Sequence, residues 1–532
     1  MKRRFSTVIA VIWAFLAGSL SSPLVAGQLW VNQRDASLVL GQADFDTAAE
    51  VTSQAGMNDP WDVAVDPTTG KVFVADSNHN RILRFASFSA LSNGADAEAV
   101  LGQTNFTATL NAASAINLFA PRGITVDADG RLWVADFRNH RVLRFDDASN
   151  KATGAAADGV LGKANFTDDD SELSQTGIGF PYAVALDDAG NLFVGSSANG
   201  RVLMFADAAT LSNGAAATLV LGQDDFDTNT SAATIDRMAA PTGLALDSSG
   251  NLYVADQGHH RILRFDDAAN KTSGADADAV LGQADFTTVT SGISASTLNG
   301  PRAIAVTSDG TLWVADSNNN RVIGFPDADS LPNGSAASLF LGQADLDSST
   351  AGLSQNELDS PRGLSLDSTD RLFVADSDNN RVVVFEKGLF QPDLTIGEKS
   401  TKQTGNNRYN SSGSGQKKKV VTDRKEVKFI AKIENDGNIE DQYFVKSLKT
   451  SSKRRVKVFR KTGGRSNITS AAKKGTHLTA MTSPGATLSY ELRVKPKGKS
   501  KKSRSNHKVW LDGSSAADGE KDRVIGFVKN RP

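Results

Sequence analysis

The sequence predicts an all-β fold: a six-bladed β-propeller closed by its own N-terminal outer strand and followed by a small Ig-like β-sandwich. Three observations carry this expectation. A unit of about 60 residues recurs, opened by Pro60, Pro121, Pro181, Pro241, Pro301 and Pro361. A second marker, LGQ or a close variant, recurs at the same spacing from Leu40, Leu101, Leu161, Leu221, Leu281 and Leu341. The two series are out of phase at the ends, because one LGQ precedes the first proline and none follows Phe385.

Each unit holds four short apolar runs separated by turn residues, which suits a four-stranded antiparallel blade. The first run is Val63-Ala64-Val65, repeated as Ile124-Thr125-Val126, Val184-Ala185-Leu186, Leu244-Ala245-Leu246, Ile304-Ala305-Val306 and Leu364-Ser365-Leu366. Its middle residue is always small, as expected of the innermost strand, where blades converge on the axis. A Gly- or Asp-containing hairpin such as Asp129-Gly130 follows, then a second strand centred on Phe73, Trp133, Phe193, Tyr253, Trp313 or Phe373. These aromatics are expected to pack between blades. The third strand ends in Phe85, Phe145, Phe205, Phe265, Phe325 or Phe385, and the LGQ run is the fourth. The last unit lacks a fourth strand and the chain starts with a spare one, Leu38 to Gln42, so pairing the two closes the ring and removes its exposed edge.

Segments such as PRGITVDADGRLWVADFRNHRVLRF (from Pro121) and PTGLALDSSGNLYVADQGHHRILRF (from Pro241) resemble NHL repeats, named for their Asn-His-Leu-type turn, over residues 38–387. The resemblance implies an NHL-type six-bladed propeller. It implies a binding platform for protein or RNA in many members, and in one six-bladed amidating lyase a metal held on one face. The units here exceed the usual propeller repeat of about 40 to 45 residues. The extra length falls between the third and fourth strands and after LGQ.

The ends differ from the ring. Residues 1–27, with Lys2, Arg3 and Arg4 before an apolar stretch from Val8 to Leu20 and a small-residue exit at Ala26 and Gly27, read as a secretory signal peptide. The chain contains no cysteine, which excludes disulfides, thiolate metal sites and a Cys nucleophile. Residues 388–426 read as a linker with a first strand, and residues 427–532 as a basic module resembling the Ig-like domains attached to bacterial surface and secreted proteins. Alternating runs at Val427 to Ile433 and Leu488 to Val494, with turns at Asn435 to Asn438 and Pro484-Gly485, carry that reading. The net charge of −2 hides a division: an acidic excess of about 20 up to residue 396 and a basic excess of about the same size beyond it.

Candidate site residues fall into three sets. Asp76 with Arg81, Asp136 with Arg141, Asp256 with Arg261, Asp316 with Arg321 and Asp376 with Arg381 are expected to be structural pairs tying each turn; blade three keeps Arg201 but has Gly195-Ser196 before it. His79, His140, His259 and His260 sit in the same turns, where Asn80, Asn320 and Asn380 alternate with them, so turn residues are expected rather than metal ligands. The residue after each opening proline varies: Trp61, Arg122, Tyr182, Thr242, Arg302 and Arg362. Variation inside a rigid repeat, at the mouth of the channel, marks these six as the candidate binding surface. Asp127, Asp129 and Asp168 to Asp170 lack the spacing of a calcium loop and read as solvated charge. No nucleophile elbow, phosphate-binding glycine loop or His-Glu-x-x-His motif occurs.

The expected function is an exported, non-enzymatic binding or scaffold protein for a protein or glycan partner, with no cofactor and no metal. Lys417 to Lys419, Lys453 to Arg455 and the lysines from Lys495 to Lys502 would add attachment to anionic polymers or surfaces. The acidic propeller argues against nucleic acid as its partner. The alternative is a metal-dependent lyase or hydrolase at the channel mouth, which requires His, Asp or Glu side chains converging there.

Overall fold

The computed structural model describes residues 28–389 without interruption. Beyond them it describes segments within 392–530, namely 392–399, 402–404, 417–422, 427–435, 443–447, 454–460, 466–474, 477–479, 487–496, 506–515 and 521–530. The signal peptide expected at 1–27 lies outside the described residues. The chain divides into two compact units, one spanning Trp30–Lys387 and one containing Gly388–Pro532.

The first unit is a ring of six four-stranded antiparallel sheets. In blade one the strands Pro60–Val65, Lys71–Asp76, Arg81–Ser87 and Ala99–Leu101 pair in sequence order. The ring closes as the unpaired markers require: Leu38–Leu40 pairs antiparallel with Arg381–Phe385, with Leu38 opposite Val384 and Leu40 opposite Val382. No blade is left with an open outer edge from the missing LGQ.

Six hydrophobic clusters lie between successive blades. The one between blades one and two joins Ala64, Phe73, Ala75, Ile82 and Leu101 to Ile124, Leu132, Val134, Leu143 and Phe145. The second-strand aromatics belong to these clusters and are almost completely buried, each contributing on the order of 1.5–3 kcal/mol by area removed from water. The small residue of the first strand has a more specific reason than convergence on the axis. Ala64 stands directly opposite Phe73, Thr125 opposite Trp133, Ala245 opposite Tyr253 and Ser365 opposite Phe373. Cross-strand neighbours share a face, so the ring of one strand occupies the room its partner leaves.

Each second strand runs into a single 3-10 turn that ends in a left-handed residue: Asn80, His140, Gly200, His260, Asn320 or Asn380, with φ of 52–56°. Gly and Asn tolerate this conformation, and a second requirement explains the histidines. Asn80 Oδ1 accepts the Ala120 N–H at 2.8 Å, and His140 Nδ1 accepts the Phe180 N–H at 3.1 Å, each at the start of the next blade. Asn320 and His260 repeat the bond to Ser360 and Gly300. Both side chains offer an acceptor at the same reach, so they exchange. Burial also depresses the pKa of His140 and His260, which suits the neutral ring that this bond needs.

In the second unit the segments form a six-stranded and a five-stranded sheet. The first is centred on Val427–Asn435 and Thr487–Pro496, the second on Asn506–Ser515 and Lys521–Asn530. Residues read as linker contribute strands: Pro392–Lys399 pairs with Val427–Asn435, and Lys417–Thr422 runs parallel to Lys521–Asn530. Among the described residues, no helix is long and apolar enough to cross a membrane.

Candidate functional site at the channel mouth

The buried arginines organise the lower layer of this face. Arg81, Arg141, Arg201, Arg261, Arg321 and Arg381 have no solvent exposure. In five blades Nε donates to the aspartate Oδ2 at 2.7–2.8 Å, as from Arg81 to Asp76 and from Arg261 to Asp256. The terminal nitrogens donate to carbonyls of the long segments. Arg141 reaches Phe166 O, Ser114 O and Asn117 O. The glutamine of the LGQ marker clamps the same segments, Gln103 bonding Asn80 O and Leu110 O through its amide and receiving the Leu110 N–H. These contacts give the extra length of the units ordered positions.

Above this layer, five of the six residues that follow the prolines come together. The Arg122 guanidinium lies 3.7 Å from the Trp61 ring centroid, 3.7 Å from that of Phe137 and 4.0 Å from that of Tyr182. Trp61 and Tyr182 meet edge-to-face at 5.5 Å. Arg302 donates to Tyr182 Oη at 3.0 Å, and its guanidinium stands 5.4 Å from the Trp61 ring. Arg362 lies 4.6 Å from that ring and pairs with Asp378 at 2.7 Å and with Asp59. Thr242 does not join: it is buried, and its hydroxyl donates to Pro301 O at 3.1 Å.

Three guanidinium groups over one indole would repel one another in water, and here the aromatic faces offset part of that cost. Burial lowers the Arg122 pKa to about 10, which leaves it a cation at neutral pH. Burial outweighs Arg362 at Asp59 and raises the pKa of its carboxyl. Arg122 Nε and Nη1 and Arg362 Nε are buried without an acceptor, so the cluster holds unused N–H donors.

The channel behind the cluster has a volume of about 490 Å³ and is walled by the first strands of the ring. Its wall carries one carboxylate that breaks the repeat. Asp62 stands where the other blades have Gly123, Ala183, Gly243, Ala303 and Gly363. Its Oδ2 accepts the Ile124 N–H at 2.9 Å, and burial pushes its pKa up to about 7. At the hairpin end lies a separate cleft of about 760 Å³ lined by Asp187, Asp188, Asp247, Asp267 and Asp329. One end of the ring is thus cationic and aromatic, the other acidic.

The remaining sequence candidates are dispersed. His79 and His259 bond Asp76 and Asp256 through Nδ1 at 2.9 and 2.8 Å, and His79 Nε2 meets the Thr52 hydroxyl. Asp127 and Asp129 pair with Arg131, and Asp168 accepts from Asn165. Among the described residues no three His, Asp or Glu side chains form a metal-holding group. The side chains of the basic runs in the second unit lie outside the described residues.

Reading the position after proline alone misses Asp59, Asp62, Phe137, Phe180 and Asp378. The signal lay at other positions of the repeat, before the proline and in the turn after the second strand. Phe137 occupies a place held by Ser77, Ser197, Gln257, Ser317 and Ser377, and Phe180 one held by Asp59, Ala120, Ala240, Gly300 and Ser360. Phe180 packs on His140 at 4.2 Å and on Phe137 at 5.2 Å, extending the aromatic wall beneath Arg122.

Six antiparallel blades, an inner strand opened by proline and an Asn- or His-ended turn define a six-bladed NHL-type propeller. The chain belongs to the Teneurin NHL domain family, which matches residues 46–325, and an NHL repeat matches residues 358–385. Among solved structures it is similar to virginiamycin B lyase from Staphylococcus aureus, with 13% identity over 60% of this chain and 78% of that one and a TM-score of 0.34. A gluconolactonase from Xanthomonas campestris shares 15% identity over 69% and 97%, with a TM-score of 0.37. A nidogen/laminin complex shares 17% over 53% and 83%, with a TM-score of 0.33. Likeness at this level carries no functional argument.

Proposed function

We propose that the chain is an exported binding module whose propeller presents its channel mouth to a protein or glycan partner. The observation behind this reading is the Arg122 cluster, in which non-repeating residues from different blades form one aromatic and cationic group at the channel mouth. Tyr182, half-buried, supplies an aromatic surface for sugar rings or apolar side chains, Arg302 supplies donors for an acidic or carbonyl oxygen, and the buried Trp61 ring supports the guanidinium groups. The basic C-terminal module adds attachment to anionic surfaces. The test is a glycan array and a pull-down with the full chain, alongside Trp61→Ala and Arg302→Ala and, as a control at the acidic end, Asp188→Ala. A partner retained by wild type and Asp188→Ala but weakened tenfold or more by either mouth variant supports the reading. Equal capture by all four proteins overturns it.

A second reading, a lyase or hydrolase, is favoured by one feature: Asp62, a channel carboxyl whose pKa of about 7 suits proton transfer at neutral pH. Turnover of a bound ligand that Asp62→Asn abolishes without weakening binding would move the assignment there.

A further inference from the structure

We propose that blade three holds a small monovalent anion, a halide, where the other five blades carry an aspartate carboxylate. In those blades the carboxylate gathers three donors. Oδ2 takes the arginine Nε and the Asn or His three residues on, and Oδ1 takes a backbone N–H from the segment before the blade. Asp136 shows the pattern with Arg141, Asn139 and Phe119 at 2.7 Å each. Asp316 and Asp376 repeat it with Arg321, Asn319 and Asn299, and with Arg381, Asn379 and Asp359.

Blade three keeps the donors and changes the acceptor. Ser196 pairs with Arg201 in the register that joins Asp136 to Arg141. Arg201 is held by the same kind of carbonyl clamp as its counterparts, donating to Phe226 O, to Ser174 O at 3.0 Å and to Gly177 O at 3.1 Å. Its guanidinium is therefore fixed, fully buried, with Nε lacking any acceptor. The Ser196 hydroxyl gives its proton to Gly179 O at 2.8 Å and accepts from Asn199 at 3.2 Å. It makes no hydrogen bond with Nε. Gly179, also buried, stands where Phe119, Asn299 and Asp359 donate their N–H groups to a carboxylate.

Arg201 Nε, without an acceptor, thus shares blade three with the Gly179 N–H at the position that serves a carboxylate in the other blades, while the Asn199 amide is turned to the Ser196 hydroxyl. The acid whose field reaches Arg201 is Asp227, an exposed residue. Replacing a carboxylate by a hydroxyl removes two heavy atoms, space on the order of one water molecule, about 30 Å³. The carbonyls that hold the terminal nitrogens of Arg201 carry no formal charge, so its buried cation lacks the counter-charge its counterparts have, and a spherical ion of about that size fits beside Nε where a polyatomic one does not.

The full chain would be crystallised with bromide and melted in sodium chloride, sodium bromide and sodium gluconate at matched ionic strength, beside Ser196→Asp. The expected results are an anomalous bromide peak within about 3.5 Å of Arg201 Nε, a melting temperature several degrees higher in either halide than in gluconate, and loss of that difference in Ser196→Asp. The peak is read in wild type, so the test survives a variant that fails to fold. A non-anomalous water at that position, or equal melting in all three salts, overturns the proposal.

Discussion

Blades three and four are adjacent copies of one unit, and they differ at the two positions that fasten it. In blade four Asp256 receives Arg261, His259 and the Ala239 N–H at 2.8 Å each, and His260 Nδ1 receives the Gly300 N–H of blade five at 3.0 Å. In blade three these positions are Ser196 and Gly200, and neither reproduces its counterpart's bonds to the arginine or to the next blade. Arg201 nonetheless stays in place on its carbonyls. The comparison separates two jobs that the repeat otherwise merges. The carbonyl clamp positions the arginine, and the carboxylate neutralises it.

The strongest way to break this comparison is to make a regular blade irregular. Asp376→Ala in the closing blade would strand Arg381 as a buried cation and release the Asn379 amide and the Asp359 N–H. Removing one partner of a buried pair costs about 3–5 kcal/mol. Ser196→Ala removes two neutral hydrogen bonds, to Gly179 O and from the Asn199 amide, each worth about 0.5–1.5 kcal/mol. Urea unfolding of both variants measures the difference. Similar midpoints would show that the carboxylate is dispensable wherever the clamp is intact.

A smaller effect tests the converse repair. Asn occupies the left-handed position in blades one, five and six, so Gly200→Asn looks conservative on sequence grounds. A Cβ at Gly200 would sit 2.5 Å from Met238 O, a backbone atom, so the position has no room for a side chain. Gly200→Asn is therefore expected to destabilise by about 1–3 kcal/mol through overpacking. A stabilised variant would mean that the segment before blade four shifts readily and that the Asn bond to the next blade re-forms.

The periodicity of this chain made most of the ring legible. Strand order, the closing role of Leu38–Leu40 and the aromatics between blades follow from counting, because each is repeated and repetition averages out local ambiguity. The candidate site at the channel mouth was legible only in part. Trp61, Arg122, Tyr182, Arg302 and Arg362 stood out as variable, but that they meet depends on how far each side chain reaches across the channel, which spacing does not encode. Thr242 varies too, yet its short side chain bonds a neighbouring carbonyl and stays out of the cluster. Asp62 was hidden for another reason: it follows the position under inspection, and a single acid in an acidic domain carries no compositional signal.

Asp62 is also the mirror of blade three, since blade one adds a carboxylate where its counterparts have Gly or Ala. An aspartate has an ordinary pKa of about 3.9 in the unfolded chain, and folding raises this one to about 7. Between these values the folded protein binds a proton that the unfolded chain has lost. The contribution to stability is thus full below about pH 4 and is lost as pH rises toward 7. Asp62→Asn is permanently neutral and keeps a carbonyl oxygen for the Ile124 N–H. The two proteins should melt alike near pH 4, and the variant should gain progressively up to pH 7 and hold its advantage above. Thermal melts across pH 4 to 8 would show it. Wild type melting higher at pH 8 would mean that the charged carboxylate is compensated by the mouth arginines, and blade one would then have gained a partner for Arg122 where blade three gave one up.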